Sequence, residues 1–298
     1  SLIAKEPQLA SELANLVEKK FPSPKAIFAN GLYACAIDKE KCQTHIVTFL
    51  HGTYSGLAEK AYSKSDLIYW RMKWIYSFLE KKSAHNASIV ISNSFHTQRE
   101  ALKEYGVNSH VVELPINTTI FNPGNKKTSR KKLEIHSEKK MILFDGNPTH
   151  SKGFDVIVQL AKKHPEYDFH CVLNPIVAAT SPNMKVYPFV PQEKLVDFYR
   201  AADVLIFPSR YEGFGFVPLE ALASGCPVIA SKVGIFNDFD APGANIVPHS
   251  LDSFERAIES IESFPNEATF REIKKRFSFA RYKKQLTQII SGLPAKGS

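Results

Sequence analysis

Short, wholly apolar runs alternate along this chain with longer stretches in which apolar residues recur every three or four positions. The first pattern suits strands buried on both faces, and the second suits amphipathic helices. Residues 7–20 read as a helix with Leu9, Leu13, Leu16 and Val17 at helical spacing, ended by Pro22 and Pro24. Residues 26–29 and 45–50 are the first two strands. Residues 65–82 form a long helix whose apolar positions (Leu67, Ile68, Trp70, Trp74, Ile75, Phe78, Leu79) make a stripe, read as core. A third strand follows at 88–92. The next helix starts after Ser94, whose hydroxyl suits an N-cap, and stops at Gly106. Residues 110–114 are the fourth strand.

Beyond Gly124 the alternation becomes regular. Strands are expected at 141–144, 169–173, 184–187, 203–207, 226–231 and 245–247, with helices at 154–164, 193–202 and 219–225 between them. This order predicts an α/β fold with a doubly wound parallel sheet. Helices at 252–263 and 268–290 should pack outside it.

The densest chemistry lies where strand 203–207 meets the next helix, in Pro208-Ser209-Arg210-Tyr211-Glu212-Gly213-Phe214-Gly215-Phe216-Val217-Pro218-Leu219-Glu220. Strand, glycine-rich turn, helix and strand make a parallel crossover unit, and ligands sit at such turns. Gly213 and Gly215 let backbone approach an anion, and the helix start offers free N–H groups to phosphate. Glu212 and Glu220 are eight positions apart, so one carboxylate can face a sugar while the other accepts from ribose hydroxyls.

From Pro208 to Ser231 the chain resembles the retaining GT-B glycosyltransferases of glycosyltransferase family four, whose pattern is P-S-x-x-E-G-F-G-x-x-x-x-E-A-x-A-x-G-x-P-V-I-A-S. The resemblance implies two Rossmann-like domains facing a cleft, here with the N-terminal one reduced, since it shows only about four strands and no glycine-rich loop precedes Phe28. The expected domains are 1–124 on the acceptor side and 125–278 for the nucleotide-sugar, with a helix at about 279–298 packing back on the first. It further implies that Glu220 binds the ribose, that Gly213, Phe214, Gly215, Phe216 and Val217 hold the pyrophosphate, and that Glu212 contacts the transferred sugar. In the loop Asp145-Gly146-Asn147-Pro148-Thr149-His150-Ser151-Lys152-Gly153, Lys152 and Gly146 match the family's phosphate loop. Asn147 stands where the family has arginine, and Arg210 is the nearest substitute cation in sequence. Val190 aligns with the main chain that meets the base, and His51 with a histidine facing the donor sugar. No metal or other cofactor is required in the family.

The net charge of +8 adds two readings: attraction to nucleotide phosphates, and peripheral association with an anionic membrane. The basic cluster Lys126-Lys127 and Arg130-Lys131-Lys132 suits a solvated basic linker and helix faces at least as well. No nucleic-acid motif accompanies the charge. No apolar run reaches the roughly 18 residues of a spanning helix. The opening residues turn polar at once, unlike a leader, so the expected location is cytoplasmic. Cys35, Cys42, Cys171 and Cys226 lack metal-ligand spacing and read as free thiols.

The expected function is hexosyl transfer from a nucleotide-sugar to an acceptor hydroxyl of unknown identity. The alternative is a non-catalytic or partner-dependent nucleotide-sugar-binding protein, with a second chain supplying missing N-terminal elements. A glycosidase would also use paired carboxylates, and an epimerase of GT-B shape would share the donor. An NAD oxidoreductase lacks its G-x-G-x-x-G fingerprint.

Overall fold

The computed structural model describes residues 5–20, 26–42, 44–260 and 266–293. By internal contacts it divides into two units. One comprises Ser1–Leu114, Glu212–Phe214 and Tyr282–Ser298; the other comprises Pro115–Tyr211 and Gly215–Arg281.

The first unit is built on four parallel strands in sequential order: β1 (Ala26–Asn30), β2 (His45–Leu50), β3 (Ile89–Ser92) and β4 (His110–Val111). Right-handed crossovers that always advance in one direction put every connecting segment on one face. Ile46, Leu50 and Val90 meet those connections, packing with Ala14, Ala34, Ala84 and Ala101. Val47, Ile91 and Val112 point the other way, where Tyr282, Leu286, Ile289 and Leu293 cover them. The helix Phe279–Ser291 thus closes the face that crossovers leave bare. It is separate from Asn266–Arg276, so the single helix expected at 268–290 is two.

Between β2 and β3 runs a helical stretch, Leu67–Trp70, Arg71–Tyr76 and Ser77–Asn86, whose middle segment has π-helical geometry. Most of its stripe is not core, although Ile68 is half-buried and Leu79 packs partly against Leu32 and Cys35. Trp70, Trp74 and Phe78 are 46%, 66% and 65% exposed, while Tyr69, Tyr76, Glu80 and Ser83 face inward. Hydrogen bonds explain the inversion. The Tyr69 hydroxyl donates to Glu59, Glu80 accepts from Tyr54 N and the Tyr105 hydroxyl, and Ser83 accepts from Ala34 N. In Lys5–Lys20 the buried positions are likewise Ala10 and Ala14, whose small side chains permit close approach to the Gly31–Ala34 turn; Leu9, Leu13 and Leu16 stay partly exposed. The burial of Val17 lies outside the described residues. Ser94 caps its helix by accepting from Thr97 N, as read from sequence.

The second unit carries six parallel strands: β5 (Met141–Gly146), β6 (Asp168–Leu173), β7 (Met184–Pro188), β8 (Val204–Phe207), β9 (Val228–Ser231) and β10 (Ala244–Val247). Their order is β7-β6-β5-β8-β9-β10, the doubly wound arrangement. On one face Ile142, Phe144, Phe169 and Ile206 pack with Phe154, Ile157 and Leu160 of helix Phe154–Lys163, and with Phe254 and Ile258.

Residues 115–124 group with this unit rather than with the first, where the sequence places them. Phe121 packs against the Tyr199 ring, and Arg200 donates to Asn122. The basic stretch lies on a helix face rather than in a linker. It forms a helix, Lys126–Lys132, on which Lys126 and Arg130 pair with Asp203 and Lys132 with Asp197.

Candidate functional site

Strands β5 and β8 meet where the strand order reverses, so the chain leaves them toward opposite faces and a crevice opens at their carboxyl ends. The register marks the opening. Pairing runs only through Ile142–Val204 and Leu143–Leu205, although β5 continues to Gly146 and β8 to Phe207.

The loops leaving these two strands are locked together. Gly153 has φ +74°, and a Cβ there would lie 2.0 Å from the Pro208 carbonyl oxygen. Only glycine permits that approach. Arg210 N donates to the Ser151 carbonyl, and its guanidinium grips Asp155 at 2.7 and 2.8 Å while also reaching the His150 carbonyl. The guanidinium holds the Asp155 carboxyl below its usual range against the opposing effect of burial. Arg210 is therefore committed to bracing the loops, which counts against it as the stand-in for the arginine that Asn147 replaces. Asn147 itself is exposed.

Between the loops sits a half-buried acidic pair, Asp145 and Glu220. The fully buried Tyr199 hydroxyl lies 2.7 Å from Asp145 Oδ2 and 3.4 Å from Glu220 Oε2. Desolvation pushes Asp145 up to about 6, opposed by the Tyr199 hydrogen bond and by the charge of Lys152. Desolvation and then the charge of Asp145 push Glu220 up to about 8. Lys152 is thus near enough to act electrostatically on the crevice floor. Glu220 lies in helix Phe216–Ala223, capped by Gly215 at φ +107°, so Phe216 and Val217 supply its first-turn N–H groups. Val190, buried, follows β7 on the same carboxyl edge.

Glu212, Gly213 and Phe214 group with the first unit. The Gly213 carbonyl accepts from Ser94 Oγ at 2.6 Å and Thr97 Oγ1 at 3.2 Å. A Cβ on Gly213 would lie 1.8 Å from the His51 carbonyl oxygen, so this glycine is required by contact. His51, ending β2, places Nε2 3.1 Å from Asn30 Oδ1, and desolvation lowers its pKa. The residues named from sequence therefore fall into two sets. Gly146, Asn147, Lys152, Val190, Gly215, Phe216, Val217 and Glu220 belong to the second unit, and His51, Glu212, Gly213 and Phe214 to the first.

Sequence reasoning missed Asp145 and Tyr199. The available signal was a carboxylate ending an otherwise apolar strand, Met-Ile-Leu-Phe-Asp. The reading that no Asp-x-Asp triplet occurs in the sequence is also corrected, by Asp238-Phe239-Asp240. Here Phe239 is buried against Phe277, and among the described residues no group of three or more His, Cys, Asp or Glu is gathered as a metal site. All four cysteines are free thiols.

Residues 178–284 match the family model described as glycosyl transferases group 1. A D-inositol 3-phosphate glycosyltransferase of Streptosporangium roseum is 30% identical over 181 residues, covering 52% of this chain and 42% of the relative. The chain spans about half the length of the curated relatives it matches. Among solved structures, sucrose-phosphate synthase from Thermosynechococcus elongatus superposes with a TM-score of 0.74 at 19% identity, covering 98% of this chain and 78% of that one. Anabaena HepE in complex with UDP and glucose gives 0.74 at 16%, covering 96% and 82%. The fold is that of the GT-B glycosyltransferases. The stretch that matches the glycosyl transferases group 1 model includes Val190, Glu212 and Glu220.

Proposed function

We propose that this protein transfers a hexosyl unit from a nucleotide-sugar to an acceptor hydroxyl with retention of configuration, as in glycosyltransferase family four. The observation that carries the reading is Glu220, a carboxylate held at the strand-order reversal behind a glycine-capped helix start. Structural neighbours crystallised with UDP and with UDP-glucose support a donor of that class.

In this reading Glu220 accepts from the ribose hydroxyls. Lys152 and the N–H groups of Phe216 and Val217 meet the pyrophosphate and stabilise its charge as the glycosidic bond to the leaving nucleotide breaks. Glu212 contacts the transferred sugar, and His51 faces it. The transfer needs no metal in this reading, because that lysine and the helix start carry the charge neutralisation.

A second reading, a nucleotide-sugar-binding protein without turnover, draws on one observation: Asn147 is uncharged and Arg210 is held by Asp155. Calorimetric titration with UDP, GDP, ADP and their sugar conjugates, with and without EDTA, tests donor binding. Anomeric analysis of the product in an acceptor screen then tests retention. Binding that survives EDTA, is weakened by Glu220→Ala, and is followed by transfer that Glu212→Ala abolishes supports the main reading. Donor binding with no transfer to any acceptor supports the second. Unchanged affinity in Glu220→Ala removes the central contact of both.

A further inference from the structure

The helical stretch from Leu67 to Asn86 is inverted. Its inward face combines hydrogen-bonded Tyr69, Glu80 and Ser83 with Met72, Tyr76 and Leu79 packed near Leu32 and Cys35, and its outward face carries Leu67, Trp70, Trp74, Ile75 and Phe78. Leu67 is 88% exposed. These positions recur every three or four residues, so they form one continuous strip about three turns long, and exposed strips of this kind mark interaction surfaces. The same face then turns basic at Lys81 and Lys82, both exposed, and Lys60 and Lys64 stand exposed just before its start. The exposed acids on this segment are Asp66, which accepts from Ser63 N, and Glu59, which is held by Lys73.

We propose that this face docks the protein on the surface of an anionic lipid bilayer, with Leu67, Trp70, Trp74 and Phe78 entering the interface and Lys64, Lys81 and Lys82 meeting the phosphate headgroups. Three features favour a bilayer over another protein as occupant. Tryptophan, phenylalanine and leucine beside lysine is the composition of helices that lie in a membrane interface. Acidic headgroups complement the exposed lysines and the chain's overall charge of +8, whereas a second copy would bring lysines of like sign to the contact. Among the described residues no helix is long and apolar enough to cross a membrane, so the contact is a surface one. The proposal is independent of which nucleotide the second unit binds.

Trp70 and Trp74 are the protein's two tryptophans, so indole emission reports on this face alone. The test is flotation of the full chain with vesicles of phosphatidylcholine alone and of equal parts phosphatidylcholine and phosphatidylglycerol, with emission recorded in parallel. Flotation and a blue shift with the mixed vesicles are expected. Trp74→Glu with Phe78→Glu should abolish both, leaving far-UV circular dichroism and thermal midpoint unchanged because the replaced side chains are exposed. Lys81→Ala with Lys82→Ala should weaken partitioning about thirty-fold, at about 1 kcal/mol per lysine. Equal flotation on neutral vesicles would overturn the role of the lysines. Absence of flotation and of any spectral shift would overturn the proposal. So would concentration-dependent dimerisation in sedimentation that Trp74→Glu removes, since the face would then belong to a second copy.

Discussion

Two helices show opposite solutions to the same periodic pattern. In the second unit, Phe154–Lys163 turns Phe154, Val156, Ile157, Leu160 and Ala161 inward and leaves Lys162 and Lys163 in water. In the first, Leu67–Asn86 turns tyrosine, glutamate and serine inward and leaves leucine, tryptophan and phenylalanine outside. Both have helical hydrophobic periodicity. Periodicity therefore reports that a helix has two faces, and the partners beneath decide which face is buried. Under Phe154–Lys163 lies an apolar strand surface, and under Leu67–Asn86 the apolar Leu32 and Cys35 stand beside Tyr54 N, Ala34 N and the Tyr105 hydroxyl, which need acceptors.

The comparison can be broken at several points. The largest effect should come from Leu160→Ala, which opens a cavity in the ordinary helix and should cost about 2–5 kcal/mol by calorimetry. A cost below about 1 kcal/mol would mean that this helix is not the anchored one.

Glu80 comes next. Burial raises its pKa from 4.5 to about 7, so the folded first unit retains a proton that the unfolded chain releases. The stability this group contributes is complete below the unfolded value and is lost as pH rises toward about 7, by up to about 3 kcal/mol. Glu80→Gln should flatten that decline, followed as the unfolding midpoint against pH. An unchanged profile would show that the inward face is not organised around a protonated carboxyl.

Asp145 provides the second unit's counterpart, a half-buried carboxylate at the end of β5. If ionised Glu220 accepts from ribose hydroxyls, nucleotide affinity should rise as pH passes about 8, where Glu220 loses its proton. Asp145→Asn removes the negative neighbour that raises this pKa, so the rise should move to lower pH in a titration series. A midpoint that stays in place would separate the two carboxylates.

The smallest effect should be Trp74→Ala, within about 0.5 kcal/mol of unchanged stability because the ring is exposed. A large loss would mean that the outward face is supported within the fold.

Most strands of both sheets, and their order as crossover units, were legible in the sequence, because a strand buried on both faces is an apolar run bounded by turns. The glycine-rich turn and Glu220 were legible for a related reason: backbone approach and positive φ demand glycine at fixed positions. Gly153 and Gly213 are required for a different reason from the approach to an anion read from sequence, each being pressed against a carbonyl of a distant loop. The sequence could not assign residues 115–124 or 212–214 to a unit, because that depends on contacts with Tyr199, Arg200, Ser94 and Thr97 that no local pattern encodes. Nor could it pair Asp145 with Glu220 through Tyr199, three residues from three separate elements. Local chemistry determined which elements form and where the chain must bend. Only tertiary structure decided which helix face is buried, which cation is already engaged, and which carboxylates share a hydroxyl, since each depends on neighbours brought together by folding.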